Sequence, residues 1–337
     1  MVEEILAHAR ANPKIDPFLS IWGAEISAYL FLGGLTAGIM VFAAAVIILR
    51  KEEAAPFTAL RLPLLGVILL SLGMLMLFLD LERKLYVWRF YTTFQPSSPM
   101  SWGSWILILV YPALILMVLA YLRPGFPRLA TWIESLPYAG PLARLTFDLA
   151  WTFRRSAAWL SLGLGIALGI YTGILLSAFN ARPFWNTGLL GPLFLVSGLS
   201  TGAAVAVLGG RKSAEGHLFT RIDIGLIVFE MALVALLLIN LWTGTRIQHD
   251  AVRNLFGGDY TMVFWLGFVA LGLVLPLLLE SVSLVWNRAW LTVLPPLLIL
   301  AGGYLLRDIT VDLGQRTAWV QYQDQFDAKL VDLVRHK

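Results

Sequence analysis

The chain has 337 residues, 58% of them hydrophobic and 14% charged, and a mean hydropathy of +0.76. Soluble domains carry about 25% charged residues, so the composition excludes a soluble globular protein and indicates an integral membrane one. Cysteine is absent, which excludes disulfides and iron–sulfur clusters ligated by this chain. The small net charge of +4 sits in loops and reads as membrane orientation rather than nucleic-acid binding.

Residues 1–20 are polar and lack the apolar core of a signal peptide. Eight apolar runs follow, near 24–49, 62–80, 104–123, 157–179, 187–209, 222–243, 260–284 and 289–306. Each is close to the roughly 20 residues that cross a bilayer as a helix. They are apolar all round, unlike the alternating strands of a membrane barrel. The predicted fold is therefore an all-α integral membrane protein with eight transmembrane helices.

Two of these runs open on the same small-residue block. Gly34–Gly38 reads G-L-T-A-G and Gly198–Gly202 reads G-L-S-T-G. Glycines four apart lie on one helix face and let another backbone approach closely. With eight spans the first and fifth run in the same direction. The expected architecture is two four-helix bundles related by a parallel repeat. Spans 1–3 occupy 1–123 and a connector 124–156. Span 4 occupies 157–180, the second bundle 181–306 and a tail 307–337. The connector holds Pro124, Pro127, Pro137 and Pro141 and an amphipathic stretch to Arg155.

Eight lysines and arginines flank the spans on the side of the termini and twelve on the other, apart from five in the last segment. The positive-inside rule then puts the connector in the cytoplasm. Both termini and the 81–103 loop face outward, which in a two-membrane bacterium is the periplasm.

The four histidines, His8, His217, His249 and His336, fall outside the eight runs, so axial ligation of a haem within the bundle is not expected. Ionisable residues within or at the ends of spans are few. Glu25 begins span 1, and Asp80, Glu82 and Arg83 end span 2 on the same side. Asp223 and Glu230 lie in span 6, Glu280 near the end of span 7, and Arg307 and Asp308 after span 8. Asp223, Arg307 and Asp308 are expected in the headgroup layer, and Glu25 and Glu230 in functional settings. Asp223, Glu230 and Glu280 form a candidate proton path. No metal site is expected.

The 84–103 loop is aromatic and proline-punctuated, with Tyr86, Trp88, Tyr91, Pro99 and Trp102. It reads either as an interfacial aromatic belt or as a rigid docking surface. In span 4, Gly165, Gly169 and Gly173 form a packing ridge. Tyr171 points away from that ridge, where its phenol can donate a hydrogen bond to a quinone carbonyl.

Taken together, Trp22–Gly38 (W-x-x-E-I-x-x-Y-L-F-L-G-G-L-x-A-G), D-L-E-R at Asp80–Arg83, S-P-M-S-W-G at Ser98–Gly103, G-I-Y-T-G-I-L-L at Gly169–Leu176 and S-G-L-S-T-G-A-A at Ser197–Ala204 resemble the NrfD family. This family comprises polysulfide reductase-type integral membrane subunits. The resemblance implies a cofactor-free anchor, without haem or iron–sulfur cluster, in the cytoplasmic membrane of a bacterium or archaeon. It would exchange electrons with a quinone, menaquinone or ubiquinone, that acts as substrate. A four-cluster iron–sulfur subunit would dock on the outer face and lead to a molybdopterin-type catalytic subunit. The protein would be no catalyst alone. The quinone contacts carried over are Glu25, with Trp22, and Tyr171, with Asp80 and Arg83 ordering the site. The polysulfide reductase type has histidine and asparagine where this chain offers Glu25. The alternative is a proton-translocating or transporter-like module built on the second bundle, alone or combined with quinone chemistry. A plain scaffold is a third reading.

Overall fold

In a computed structural model, residues 22–211, 213–286 and 288–317 are described. They are helical throughout their regular structure, with no strand among them. Eight helices are long and apolar enough to cross a membrane. We number them α1 (Ala24–Ile48), α2 (Leu62–Asp80), α3 (Pro99–Ala120), α4 (Gly140–Ser177), α5 (Leu190–Gly210), α6 (Ala214–Thr243), α7 (Val263–Ser283) and α8 (Leu294–Arg316).

Four of these helices have proline at their first or second position: α2, α3, α4 and α8. There the missing N–H has no intrahelical partner to lose. This is why Pro295-Pro296 starts α8 rather than breaking it. In α7 the stretch Val263–Val274 is wound as a π-helix and becomes α-helical at Leu275. Pro276 lies at that change. It has no N–H to give and its ring crowds the carbonyl four residues back, a known cause of local rewinding.

Helices α1, α2, α3 and α4 contact one another in a closed ring, as do α5, α6, α7 and α8. The two rings meet through α1 and α4 on α5, and α1 on α8. At the centre of this seam the two small-residue blocks pack directly on each other. A Cβ on Gly198 would fall 2.6 Å from the Gly34 carbonyl oxygen, and one on Gly202 would fall 2.8 Å from Gly38 Cα. Only glycine permits backbones this close, and in lipid such packing replaces the hydrophobic drive that water would supply. The α4 ridge joins the same seam, with Gly165 and Gly169 against Ala37 of α1 and Gly173 against Leu190 and Gly191.

Two rivets close the ends. At one end, Trp22 N–H donates to Gln315 Oε1 and Gln315 Nε2 donates to the Trp22 carbonyl, both at 2.9 Å. The Trp22 ring stacks on Trp185, whose Nε1 donates to the Thr310 carbonyl at 2.6 Å. At the other end the buried Glu215 carboxylate accepts from Phe57 N, Thr58 N and Thr58 Oγ1 at 2.6–3.0 Å, capping the short helix Pro56–Leu60 from across the seam.

Several boundaries differ from the expected ones. Helix α3 starts at Pro99, so Pro99 and Trp102 lie in its first turns rather than in the loop. Helix α4 starts at Gly140, so the second half of the 124–156 connector is continuous with span 4. Helix α8 runs to Arg316, so 307–316 is helix and not tail. In each case charged or proline residues near the membrane surface mark the end of the apolar run but not the end of the helix.

Candidate functional site

The ends of α1, α2, α3 and α4 on the Trp22 side enclose a cavity of about 400 Å³. Its wall is mostly apolar, from Ile26, Leu30, Met74, Leu77, Leu107 and Leu176. Into it face three phenols from three elements: Tyr29 of α1, Tyr91 of the loop and Tyr171 of α4. Asp80, Trp22 and Ser104, whose hydroxyl donates to the Ser101 carbonyl, complete the polar lining. No side chain among the described residues hydrogen-bonds the three hydroxyls or the Asp80 carboxylate. Tyr29 and Tyr171 are both buried. Burial raises the pKa of Tyr91 above its ordinary value, with the Tyr111 phenol adding to the shift. Tyr91 therefore remains a donor at neutral pH.

Tyr171 owes its place to Gly103. A Cβ there would overlap the Tyr171 ring, so the glycine that ends the S-P-M-S-W-G motif is the space the ring occupies. The α4 ridge packs on α1 and α5, and Tyr171 turns the other way, toward α3 and the cavity, as the helical spacing predicts.

Of the five residues expected at the site, the cavity brings together Trp22, Asp80 and Tyr171. It does not include Glu25 or Arg83. Glu25 is exposed, and its carboxylate folds back toward Gly23 at the start of α1. At that position the helix axis carries its side chain past the wall, and the next turn inward, Tyr29, faces the cavity in its place. Arg83 lies in a groove of about 520 Å³ above the cavity, with Tyr86, Arg89, Gln95 and Ser98. Cavity and groove share Leu81, Phe90 and Met100 as a common wall.

The loop residues also divide. Tyr86, Trp88 and Trp102 are exposed. Arg89 lies over the rings of Tyr86 and Trp88, at 4.7 and 5.7 Å, and Trp102 Nε1 donates to the Pro96 carbonyl at 2.7 Å. Tyr91, expected in the docking surface, belongs to the cavity instead. Sequence reasoning missed Tyr29. The signal was present: Tyr29 lies one turn from Glu25 and Ile26 on the face that turns away from the glycines.

A second polar constellation lies at the seam and inside the α5–α8 ring. Arg307, expected in the headgroup layer, is 1% exposed. Its Nη1 donates to Ser197 Oγ at 2.6 Å and to the Gly303 carbonyl at 2.8 Å, and Nη2 to the Phe194 carbonyl at 3.1 Å. The guanidinium also covers the Phe194 ring at 5.1 Å and fills the space beside Gly34. Ser197 Oγ in turn faces the buried Glu230 carboxylate. Asp223, also expected among headgroups, is fully buried and accepts from Ser200 Oγ at 2.7 Å. Both corrections share a cause. Helices α6 and α8 extend well past the apolar runs, which places these residues deeper than their distance from the run ends suggests.

Residues 14–317 match the family described as polysulphide reductase, NrfD. The chain belongs to the NrfD family. It is 30% identical to a polysulfide reductase chain of Wolinella succinogenes, over 88% of the present sequence and 94% of that one. It is 33% identical to the protein NrfD of Escherichia coli, over 77% and 84%. It is 26% identical to a tetrathionate reductase subunit of Salmonella typhimurium, over 86% and 81%. The NrfD match spans all eight helices and both polar constellations.

Proposed function

We propose that this NrfD protein is the quinone-binding membrane anchor of a multisubunit respiratory oxidoreductase. The observation that carries the reading is the cavity. Three phenols and a carboxylate face an apolar space, and none of them has a protein partner among the described residues. Ligand sites typically have this volume and character, apolar with a few convergent polar groups. A quinone head is an apolar ring with two carbonyl acceptors, and buried phenols are donors. Interconversion of quinone and quinol moves two electrons and two protons. Tyr171 donates to one quinone oxygen. Asp80, only partly buried at the rim, exchanges protons with outer water. Glu25 is close enough to Asp80 for their charges to interact, from outside the cavity. Trp22 holds the α1 end of the wall.

Electrons must leave through a partner, since this chain has no cysteine to hold a cluster. The groove of Arg83, Tyr86 and Arg89 lies directly over the cavity. Its exposed aromatics suit an iron–sulfur subunit of four-cluster type on the outer face, with a molybdopterin-type catalytic subunit beyond. The names of the relatives as parts of reductases support this assembly. The positive-inside count supports an inner-membrane setting with this face outward.

The test is turnover of the purified complex with a quinol analogue and, separately, with an artificial electron carrier. Tyr171→Phe and Asp80→Asn should each lower quinol-coupled turnover and leave the artificial reaction intact. Unchanged quinol kinetics in both variants would overturn the assignment.

A further inference from the structure

The α5–α8 ring holds a pair of carboxylates that the quinone reading does not use. Asp223 of α6 is fully buried and Glu280 of α7 is 1% exposed. Glu280 lies near enough to Asp223 for their charges to interact, and the helices that carry them, α6 and α7, are in contact. Ser200 Oγ donates to Asp223 Oδ1 at 2.7 Å. The other three oxygens, Asp223 Oδ2 and both of Glu280, are buried with no hydrogen-bond partner.

No lysine, arginine or histidine among the described residues forms an ion pair with either carboxylate. The other charged groups packed inside this ring are Glu230 on α6 and Arg307 on α8. They are engaged with each other through Ser197. Arg307 therefore answers Glu230 and leaves Asp223 and Glu280 without a counter-charge.

Two adjacent carboxylates cannot both remain ionised in an apolar interior without a cation. Four carboxylate oxygens and a serine hydroxyl offer only hard oxygen donors, which suit a proton or a small alkali ion. An opening to water lies on the side of the molecule where α6 begins. Asp223 is about 14 Å along α6 from its first residue. A cleft of about 900 Å³, lined by Arg211, Ser213, His217, Ala289, Thr292 and Val293, opens at that same end of the molecule, away from the phenol cavity.

We propose that Asp223 and Glu280, with Ser200, form a buried site for one monovalent cation, a proton or Na⁺, reached from the end opposite the phenol cavity. The site stands independently of the quinone reading, since it shares no residue with the cavity. Glu230, whose charge also acts on Asp223, has Arg307 as its counter-charge and stands beside the pair rather than in it. It also gives a purpose to two hydroxyls in and next to the second small-residue block. Ser200 serves the cation pair and Ser197 serves Arg307.

Infrared spectroscopy and radioactive-sodium binding on the purified complex at neutral pH test the proposal. If the cation is a proton, the wild type shows a protonated-carboxyl carbonyl band that Glu280→Gln or Asp223→Asn removes. If it is sodium, the wild type retains sodium against choline, and the same substitutions abolish retention. Ser200→Ala keeps both carboxylates and should weaken sodium binding roughly three- to tenfold, the worth of one hydrogen bond, or shift the carboxyl band. Tyr171→Phe should change neither readout, so the failure of one proposal does not touch the other. A wild type with neither a carboxyl band sensitive to these substitutions nor sodium retention overturns it. Ser200→Ala, which keeps both carboxylates, guards this outcome against a variant that fails to fold.

Discussion

Tyr171 and Gly103 illustrate how a site is set by one residue making room for another. Replacing Tyr171 by Phe removes a single donor and leaves the ring in place. The expected loss in quinol kcat/KM is roughly tenfold, the worth of one hydrogen bond in a dry site. Gly103→Val should cost at least as much without touching the quinone directly, because a side chain there displaces the Tyr171 ring. Both are checked by quinol kinetics against the artificial carrier. If Gly103→Val leaves quinol KM and kcat unchanged, the ring does not sit where the cavity needs it. Arg307 is the second case. Arg307→Met strands Glu230 as a buried charge and should destabilise the protein by about 3–5 kcal/mol. Glu230→Gln in the same chain should recover part of that loss. Thermal unfolding of the four forms as a double-mutant cycle measures the coupling. Part of the cavity lining was legible in the sequence at this scale. Tyr171, Asp80 and Trp22 were named from spacing and resemblance, and all three face the cavity. Glu25 lies outside the cavity lining and Tyr29, which the spacing did not single out, lies in it: a span end shows which turn a residue occupies but not which neighbours surround that turn.

At the scale of elements, the duplicated block fixes how α1 meets α5. A Cβ on Gly38 or Gly198 would enter the opposing backbone. Gly38→Ile should therefore cost about 1–3 kcal/mol or more by overpacking. An equal substitution at Gly163, where nothing stands within 4 Å of the position, should cost much less. Unfolding temperatures of the two variants in one detergent make the comparison. Glycine spacing in the sequence announced a close approach but not its partner. The pairing of one copy with the other appears only once both helices are placed. Element ends were the least legible part. Helices α4, α6 and α8 run past their apolar stretches, because helical hydrogen bonds continue wherever backbone and side chains permit, whether or not the side chains suit lipid.

For the whole molecule, the absence of cysteine offers a clean measurement of orientation. Ser97→Cys, exposed in the loop beside the cavity, should react with an impermeant maleimide added to intact spheroplasts. Ser213→Cys, exposed at the opposite end, should react only after lysis. The reverse pattern would place the phenol cavity on the cytoplasmic side. Composition and the length of the apolar runs determined by themselves that this chain spans a membrane eight times as helices, since backbone groups in lipid must be satisfied within each segment. The motifs sufficed to name its family. Only the tertiary structure decided which polar groups share a cavity, which glycine makes room for which ring, and that Arg307 answers Glu230 while Asp223 and Glu280 stand without a counter-charge. Those choices depend on contacts between helices far apart in the chain, and hydropathy along one segment carries no information about them.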